Sequence, residues 1–405
     1  MLFKTSFWIR FSIFNLLLVA LLGLLMRYKI GFEFPLLDQK SLQHSHSHFA
    51  FAGWVSHTLM TLIISFLQRH DLKNNIAFKK YNSILIGNLI CSYVMLFSFI
   101  IQGYGAVSIT FSTLSIFVSY WFAFVFFKDC KLIDTNSIAK KWFKAALFFN
   151  VISSLGTFAL AFMMATKNIH QNEYLASIYY YLHFQYNGWF FFACMGLLLD
   201  YLKVTTSANR IYSRSFIGLF WSCIAGYFLS TLWLDLPLWI YSITAISAVV
   251  QVVVCFFLFT TIIKEHKSIF INLPDYLKYL VVFISLALIV KFLLQLGSTV
   301  PAVSELAFGF RPIVIAYLHL ILLAIISLFL LFYVYANNFI AINKRTILGL
   351  ILFSKGVILN EVVLGIQGVA SLSYTLIPYV NEVLFGIAIL LFTSILLVTF
   401  YTKKI

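Results

Sequence analysis

Apolar stretches of about 20 residues recur along the whole chain, and each is long enough to cross a bilayer as a helix. Hydrophobic residues make up 62% of the 405 residues and charged residues 10%, which is more apolar surface than a soluble domain could cover. We therefore predict an all-α integral membrane protein with a single polytopic domain, 1–405. Its twelve predicted spans are 7–27, 46–68, 81–102, 105–127, 142–165, 174–201, 213–234, 237–263, 276–296, 312–335, 346–368 and 377–400.

Basic residues predict the orientation of these spans. If the N-terminus is cytoplasmic, most of the 28 lysines and arginines lie on the cytoplasmic side, whereas the opposite side holds only Arg27, Lys29, Lys40, Lys167 and Arg311. The positive-inside rule then places both termini in the cytoplasm, with the protein in the cell's inner membrane. The formal charge of +15 is mostly this topology signal. Because the basic residues are scattered over short loops, no nucleic-acid partner is expected.

A histidine motif repeats along the chain. HFAFAGW begins at His48 and HFQYNGW at His183, so both read HFxxxGW, while His319 in AYLHLILLAIIS lacks the Gly-Trp pair. The separations are 183 − 48 = 135 and 319 − 183 = 136, and one third of the chain is 405 / 3 = 135. Twelve spans then divide into three pseudo-threefold four-helix repeats, about 1–134, 135–270 and 271–405, with a histidine on the second helix of each.

The three repeated histidines are candidate metal ligands. Spans two, six and ten all enter from the non-cytoplasmic side, so His48, His183 and His319 fall in the outer half of the membrane. Histidine inside a bilayer is costly unless it is paired or ligated, and neutral imidazole is the commonest metal ligand. For any one of them the alternative is a hydrogen bond to a neighbouring polar group.

The stretch HSHSHFAFAGWVSH adds His44, His46 and His57 to His48 as candidate metal ligands. At 100° per residue, His44 and His48 share one helix face, whereas His46 and His57 share the nearly opposite face. The four imidazoles therefore cannot all bind one ion.

Residues next to the repeated histidines are candidates for holding a bound group. Gly53 and Gly188 remove side-chain bulk one to two turns below their histidines, which leaves room either for a large planar ligand or for a close helix. Trp54 and Trp189 follow these glycines directly. Tyr186, three residues after the second repeated histidine, shares its face and could orient a ligand or carry a proton.

Twelve helices in three four-helix arcs, with histidines on spans two, six and ten near the outer face, resemble subunit I of the haem-copper oxidase superfamily, which includes the nitric oxide reductases. The resemblance covers the whole chain in architecture, although the shared motifs are short. It implies that His48 (or His46) and His319 ligate a low-spin haem, and that His183 binds copper as the second metal. It also implies a catalytic tyrosine, for which Tyr186 is the candidate at three rather than four residues past the histidine. The implied partners are an electron donor, either quinol or a separate cytochrome, and a small gas.

The chain departs from that family at two spans. The family carries two adjacent histidines on span seven, where residues 212–234 contain none, and two on span ten, where only His319 is present. A complete dinuclear centre with a three-histidine copper is therefore not expected. The predicted function is that of a haem-binding membrane redox protein, with copper as a candidate second metal, that acts on oxygen or nitric oxide.

Two alternatives come from other classes of protein. Lys355 and Glu361 lie within a span, and together with the repeats they are compatible with a transporter whose histidines line a substrate path. The HSHSH tract is compatible with a metal-handling protein that captures copper or zinc.

Overall fold

The computed structural model describes residues 3–133, 135–304 and 310–402. Over these residues the protein is all-helical, with 82% helix. Within the described ranges there is no β-strand, and the one β-type contact is an isolated bridge between Ser137 and Thr205. The predicted all-α class is therefore confirmed.

Ten of the twelve predicted spans coincide with helices that are long and apolar enough to cross a membrane, counted over the described residues. The other two, 174–201 and 213–234, correspond to helical segments over 171–201 and 210–231 that do not meet the same standard. The first of these carries His183, Gln185 and Asn187 in its middle, and the second is an α-helix of only 16 residues followed by a 3₁₀ turn. Length and apolar composition thus support ten of the twelve predicted spans.

The chain divides into two compact units, of which the first contains 1–134, 327–370 and 374–405. In this unit α1 packs against α16, α2 and π1, while α4 packs against α2 and α5. A cluster of Leu22, Leu42, Phe49 and Leu96 lies among α1, α2 and α4. The helices of the first unit are α1 (Thr5–Gly31), α2 (Gln39–Phe49), π1 (Ala50–Ser56), α3 (His57–His70), α4 (Lys79–Gln102), α5 (Ala106–Asp129), α14 (Leu328–Ala336), α15 (Lys344–Leu372, apart from 371–372) and α16 (Val380–Tyr401).

The second unit contains 135–326 and 371–373. In it α6 packs against α7, π2 and α8, and α10 packs against α9 and α12. The boundary after residue 134 coincides with the predicted end of the first repeat, whereas the predicted third repeat is shared between the units. The helices of this unit are α6 (Ala139–Ala165), α7 (Gln171–His183), π2 (Phe184–Phe190), α8 (Phe191–Tyr201), α9 (Arg210–Ala225), α10 (Leu238–Glu265), α11 (Lys267–Ile271), α12 (Asp275–Gly297), α13 (Arg311–His319) and π3 (Leu320–Ser327, whose last residue belongs to the first unit).

The histidine-rich helix α2 begins at a well-defined cap. The Asp38 carboxylate accepts a hydrogen bond from the Ser41 backbone N–H at 2.7 Å, which satisfies one of the open donors of the first turn. This hydrogen bond lowers the pKa of Asp38 below its ordinary value. The cap fixes where α2 starts and therefore which way its histidines point.

Candidate functional site

Each repeated histidine lies where an α-helix changes into a π-helix. The segment π1 begins two residues after His48, π2 begins directly after His183, and π3 begins directly after His319. Their starting residues are separated by 184 − 50 = 134 and 320 − 184 = 136 positions. Well under 1% of residues in soluble proteins are π-helical, and such segments are frequent at functional sites. The three histidine positions therefore share a rare local structure as well as a spacing.

Buried amides satisfy the carbonyl groups of π1. The Nδ2 atom of Asn15 donates to the Gly53 carbonyl at 2.5 Å, and the Nδ2 atom of Asn88 donates to the Ala52 carbonyl at 3.1 Å. Tyr93 in turn donates its hydroxyl to the Oδ1 atom of Asn15 at 2.7 Å. A widened helix turn leaves backbone carbonyls without their usual hydrogen-bond donors. The asparagines of α1 and α4 therefore stabilise π1 by donating to these carbonyls.

Replacement of Asn15 by leucine is expected to destabilise the protein by about 1–3 kcal/mol, because the Gly53 carbonyl would lose its donor in a buried place. Thermal unfolding of the detergent-solubilised variant measures the loss. Thr113→Ala is the control, since the Thr113 hydroxyl bonds only the Ile109 carbonyl of its own helix and that hydrogen bond is exposed. Equal unfolding temperatures for the two variants would show that π1 does not depend on the amide.

The two histidine faces of span two point to different neighbours, as the sequence predicts. The His48 ring stacks on Phe99 with centroids 4.4 Å apart, and its Nε2 atom is 3.2 Å from the Tyr104 hydroxyl. His44 lies on the same side, with its ring centroid 4.6 Å from that of Tyr104. The opposite face points to α1, where the ring of His46 lies against Gly23.

His57, on the face shared with His46, is fully buried. Its ring lies edge-on to Trp8 of α1 at 5.7 Å, and its Nδ1 atom is 3.4 Å from the Nδ2 atom of Asn88. An amide nitrogen only donates, so Nδ1 accepts and Nε2 carries the proton. Within the described residues this Nε2 atom has no hydrogen-bond partner. His57 therefore presents a buried donor to the interior of the first unit.

His183 joins two helices of the second unit through both of its ring nitrogens. Its Nε2–H donates to the Cys223 carbonyl of α9 at 2.8 Å, and its Nδ1 atom accepts from the Nδ2 atom of Asn187 at 3.2 Å. The side chain is completely buried. Since both nitrogens are occupied, this imidazole acts as a hydrogen-bonded bridge, the alternative that the sequence left open for each histidine.

Tyr186 lies beside His183, on the face predicted for it. The two ring centroids are 6.5 Å apart, and the ring of Tyr317 is 6.5 Å from Tyr186 on another side. Tyr317 precedes His319 by two residues, so the second unit brings Tyr186 close to the helix that carries the third histidine.

His319 has the geometry of a metal-ligating imidazole. Its Nδ1–H donates to the Ile315 carbonyl at 2.8 Å, which leaves the lone pair on Nε2. Histidines that bind metals commonly donate their other ring N–H to a carbonyl or carboxylate in this way. The side chain is half-buried, and no residue of α13 is fully buried. One ring nitrogen of His319 is therefore held by the backbone of its own helix.

The space beside the glycines of the HFxxxGW motifs is occupied by neighbouring side chains. A Cβ atom on Gly188 would lie 2.5 Å from the Cβ atom of Phe149, and one on Gly53 would lie 2.8 Å from the ring of Phe49. Of the two alternatives for Gly188, a close helix is therefore observed. The Trp54 indole N–H donates to the Ser327 hydroxyl at 2.9 Å, and the Trp189 side chain is fully buried.

Gly188→Ala is expected to cost about 1–3 kcal/mol, because α6 and π2 would have to separate around the added methyl group. Gly386→Ala provides the matched control: it is also helical, and nothing lies within 4 Å of its added Cβ atom. That control should be neutral or stabilising by up to about 1 kcal/mol. Chemical denaturation in detergent distinguishes the two, and a Gly188→Ala variant at least as stable as the control would refute the packing account.

Three ionisable residues in the middle of predicted spans have different environments. Lys291 is 4% exposed, and its Nζ atom lies 3.9 Å from the centroid of the Phe292 ring. Glu361 is half-buried and accepts a hydrogen bond from the Asn360 amide at 3.1 Å. Lys355 is exposed on the surface of α15. The two charged residues of this span therefore differ in burial, since Glu361 is half-buried and Lys355 is exposed.

The described residues contain no cluster of several metal-ligating side chains. Among residues 3–133, 135–304 and 310–402, no group of three or more His, Cys, Asp or Glu side chains could hold a metal ion. A three-histidine copper site does not fit these residues. A haem iron needs only one or two imidazoles, and the tautomer of His319 suits that role.

Comparison with known proteins identifies no family for this chain. No protein-family model matches the chain, and no curated protein gives a significant match.

Proposed function

We propose that this chain is a haem-binding membrane redox protein that resembles subunit I of the haem-copper oxidases but lacks the complete dinuclear centre. The observation that carries the proposal is the recurrence, at intervals of one third of the chain, of a histidine at the entrance to a π-helix. Without an internal repeat, a histidine next to a π-helix would have to arise independently at each of the three positions. Oxygen and nitric oxide are the proposed substrates, with quinol or a separate cytochrome as electron donor.

The proposed architecture has twelve spans in three four-helix repeats. The helical segments over 171–201 and 210–231 complete the set of ten apolar helices. The polar side chains of His183 and Gln185, in the middle of the first segment, form internal hydrogen bonds. Asn15 and Asn150 support the repeat, since they are 150 − 15 = 135 residues apart and each bonds the π-helix of its own unit. An even number of spans agrees with both termini on the cytoplasmic side of the inner membrane.

His319 and His48 are the residues that would hold the haem. The Ile315 carbonyl fixes the tautomer of His319, and stacking on Phe99 together with Tyr104 fixes the ring of His48. Bound haem would supply an iron that accepts and releases single electrons. His183 serves as a bridge between helices, and Tyr186 beside it holds a hydroxyl proton within the second unit.

Quantification of haem and iron in the detergent-purified protein tests this function. The account predicts haem in a fixed ratio to the chain when the protein is produced with an adequate haem supply. Folded protein that contains neither haem nor iron under those conditions would refute the redox function and favour a transporter.

A further inference from the structure

Lys355 occupies an unusual place for a charged residue. It lies 355 − 344 = 11 residues after the start of α15, which is about 16 Å along the helix axis. The hydrocarbon core of a bilayer is about 30 Å thick, so this position is deep in the membrane. The side chain is nevertheless exposed, which means that it points away from the protein and not into it.

An apolar stripe runs above and below Lys355 on the same face of α15. Positions 348, 355, 362 and 369 follow a strict seven-residue spacing, which is typical of a seam where two helices pack. Gly365 borders the stripe, and nothing lies within 4 Å of where its Cβ atom would be. The other exposed residues of the stripe are Leu348, Leu359, Val362, Ile366 and Val369.

No charge within the described part of the chain compensates Lys355. It forms no ion pair there, unlike Lys80, which pairs with Asp129, and Lys278, which pairs with Asp275. Glu361, on the same helix, is six residues away and therefore about 240° around the axis, where it bonds Asn360. Charged side chains inside membranes almost always face protein or water and pair with a partner, so an exposed lysine at this depth calls for one.

We propose that the stripe from Leu348 to Val369 is covered in the membrane by a transmembrane helix of another subunit that carries an aspartate or glutamate at the depth of Lys355. Apolar residues of the stripe would pack against that helix, and the carboxylate would pair with the ammonium group. A second copy of this chain is the poorer occupant. Two copies inserted in the same orientation around a twofold axis would bring one Lys355 against the other, and like charges repel.

A spin label at position 362 tests whether the stripe is covered while Lys355 is kept intact. Val362→Cys and Phe97→Cys form a matched pair, since each lies 18 residues after the start of a helix that enters from the same predicted side (362 − 344 and 97 − 79). Their native side chains are 52% and 59% exposed. In native membranes the collision rate with oxygen should be several-fold lower at 362 than at 97. Adding Lys355→Leu should remove the difference. Equal oxygen collision rates at positions 362 and 97, in protein that keeps Lys355, would overturn the proposal.

Cross-linking tests the chemistry of the partner. An apolar carbodiimide couples an amine to a nearby carboxylate, so native membranes should yield an adduct that contains this chain and a second polypeptide. Lys355→Arg keeps the charge but cannot form the amide bond, and it should abolish the adduct while position 362 stays protected. Protection at 362 without a Lys355-dependent adduct would overturn the acidic partner. An adduct of two copies of the 46.5 kDa chain would overturn the choice of a different subunit.

Discussion

His319→Ala is expected to remove the Soret band of the purified protein. In the proposed site the Nε2 atom of this imidazole would hold the haem iron, while its Nδ1–H donates to the Ile315 carbonyl. Alanine offers no ligand, and a single remaining imidazole holds haem far less firmly. Haem content per chain should fall below about a tenth of the wild-type value, since metal sites depend steeply on each ligand. Absorbance and extraction of haem from the same sample measure the change.

His170→Ala is the control for that variant, because His170 is an exposed histidine at the start of α7. It should retain full haem content. Addition of imidazole to His319→Gly should restore part of the absorbance, since the small molecule can occupy the vacated position. Full haem content and an unchanged spectrum in His319→Ala would exclude this residue as a ligand.

His183→Leu should cause the largest loss of stability. The substitution removes both hydrogen bonds of the bridge, so the Cys223 carbonyl and the Asn187 amide would be left buried without partners. Each such group costs about 1–3 kcal/mol, which gives a total of about 2–6 kcal/mol. Thermal unfolding in detergent and the yield of monodisperse protein report this loss.

The conservative variant separates a structural role of His183 from a ligand role. His183→Gln keeps an amide donor that can reach the Cys223 carbonyl, and it should recover part of the lost stability. In the folded fraction of both variants, haem content per chain should equal that of the wild type. A variant that is fully stable yet depleted of haem or copper would show that His183 is a metal ligand and not a bridge.

The sequence predicts most of the fold because membrane helices are specified by local apolar length. Ten spans follow from that rule. The segment around His183 falls short of it because it carries polar residues. These residues are hydrogen-bonded to residues far away in the chain, which no local pattern reveals. The opposite faces of His48 and His57 were also predictable, because they follow from helical geometry. Burial of Tyr186 beside His183 follows from the same rule.

Other features depend on long-range contacts that no local pattern reveals. The π-helix after His48 relies on amides from Asn15 and Asn88, which are 38 and 36 residues from the carbonyls they bond. The repeat of the histidine motif was the one available signal, and it marks the three positions without indicating the helix type. The exposure of Lys355 depends on how α15 is rotated in its unit, which the spacing of its charged residues does not determine.

The reduced-minus-oxidised absorbance spectrum of the detergent-purified protein tests most directly whether the repeated imidazoles hold a redox-active iron. With two imidazole ligands the account predicts a Soret band and sharp α and β bands that intensify on reduction and that disappear in His319→Ala. A folded, haem-supplied preparation whose spectrum shows only aromatic absorption, with no change on reduction, would contradict it.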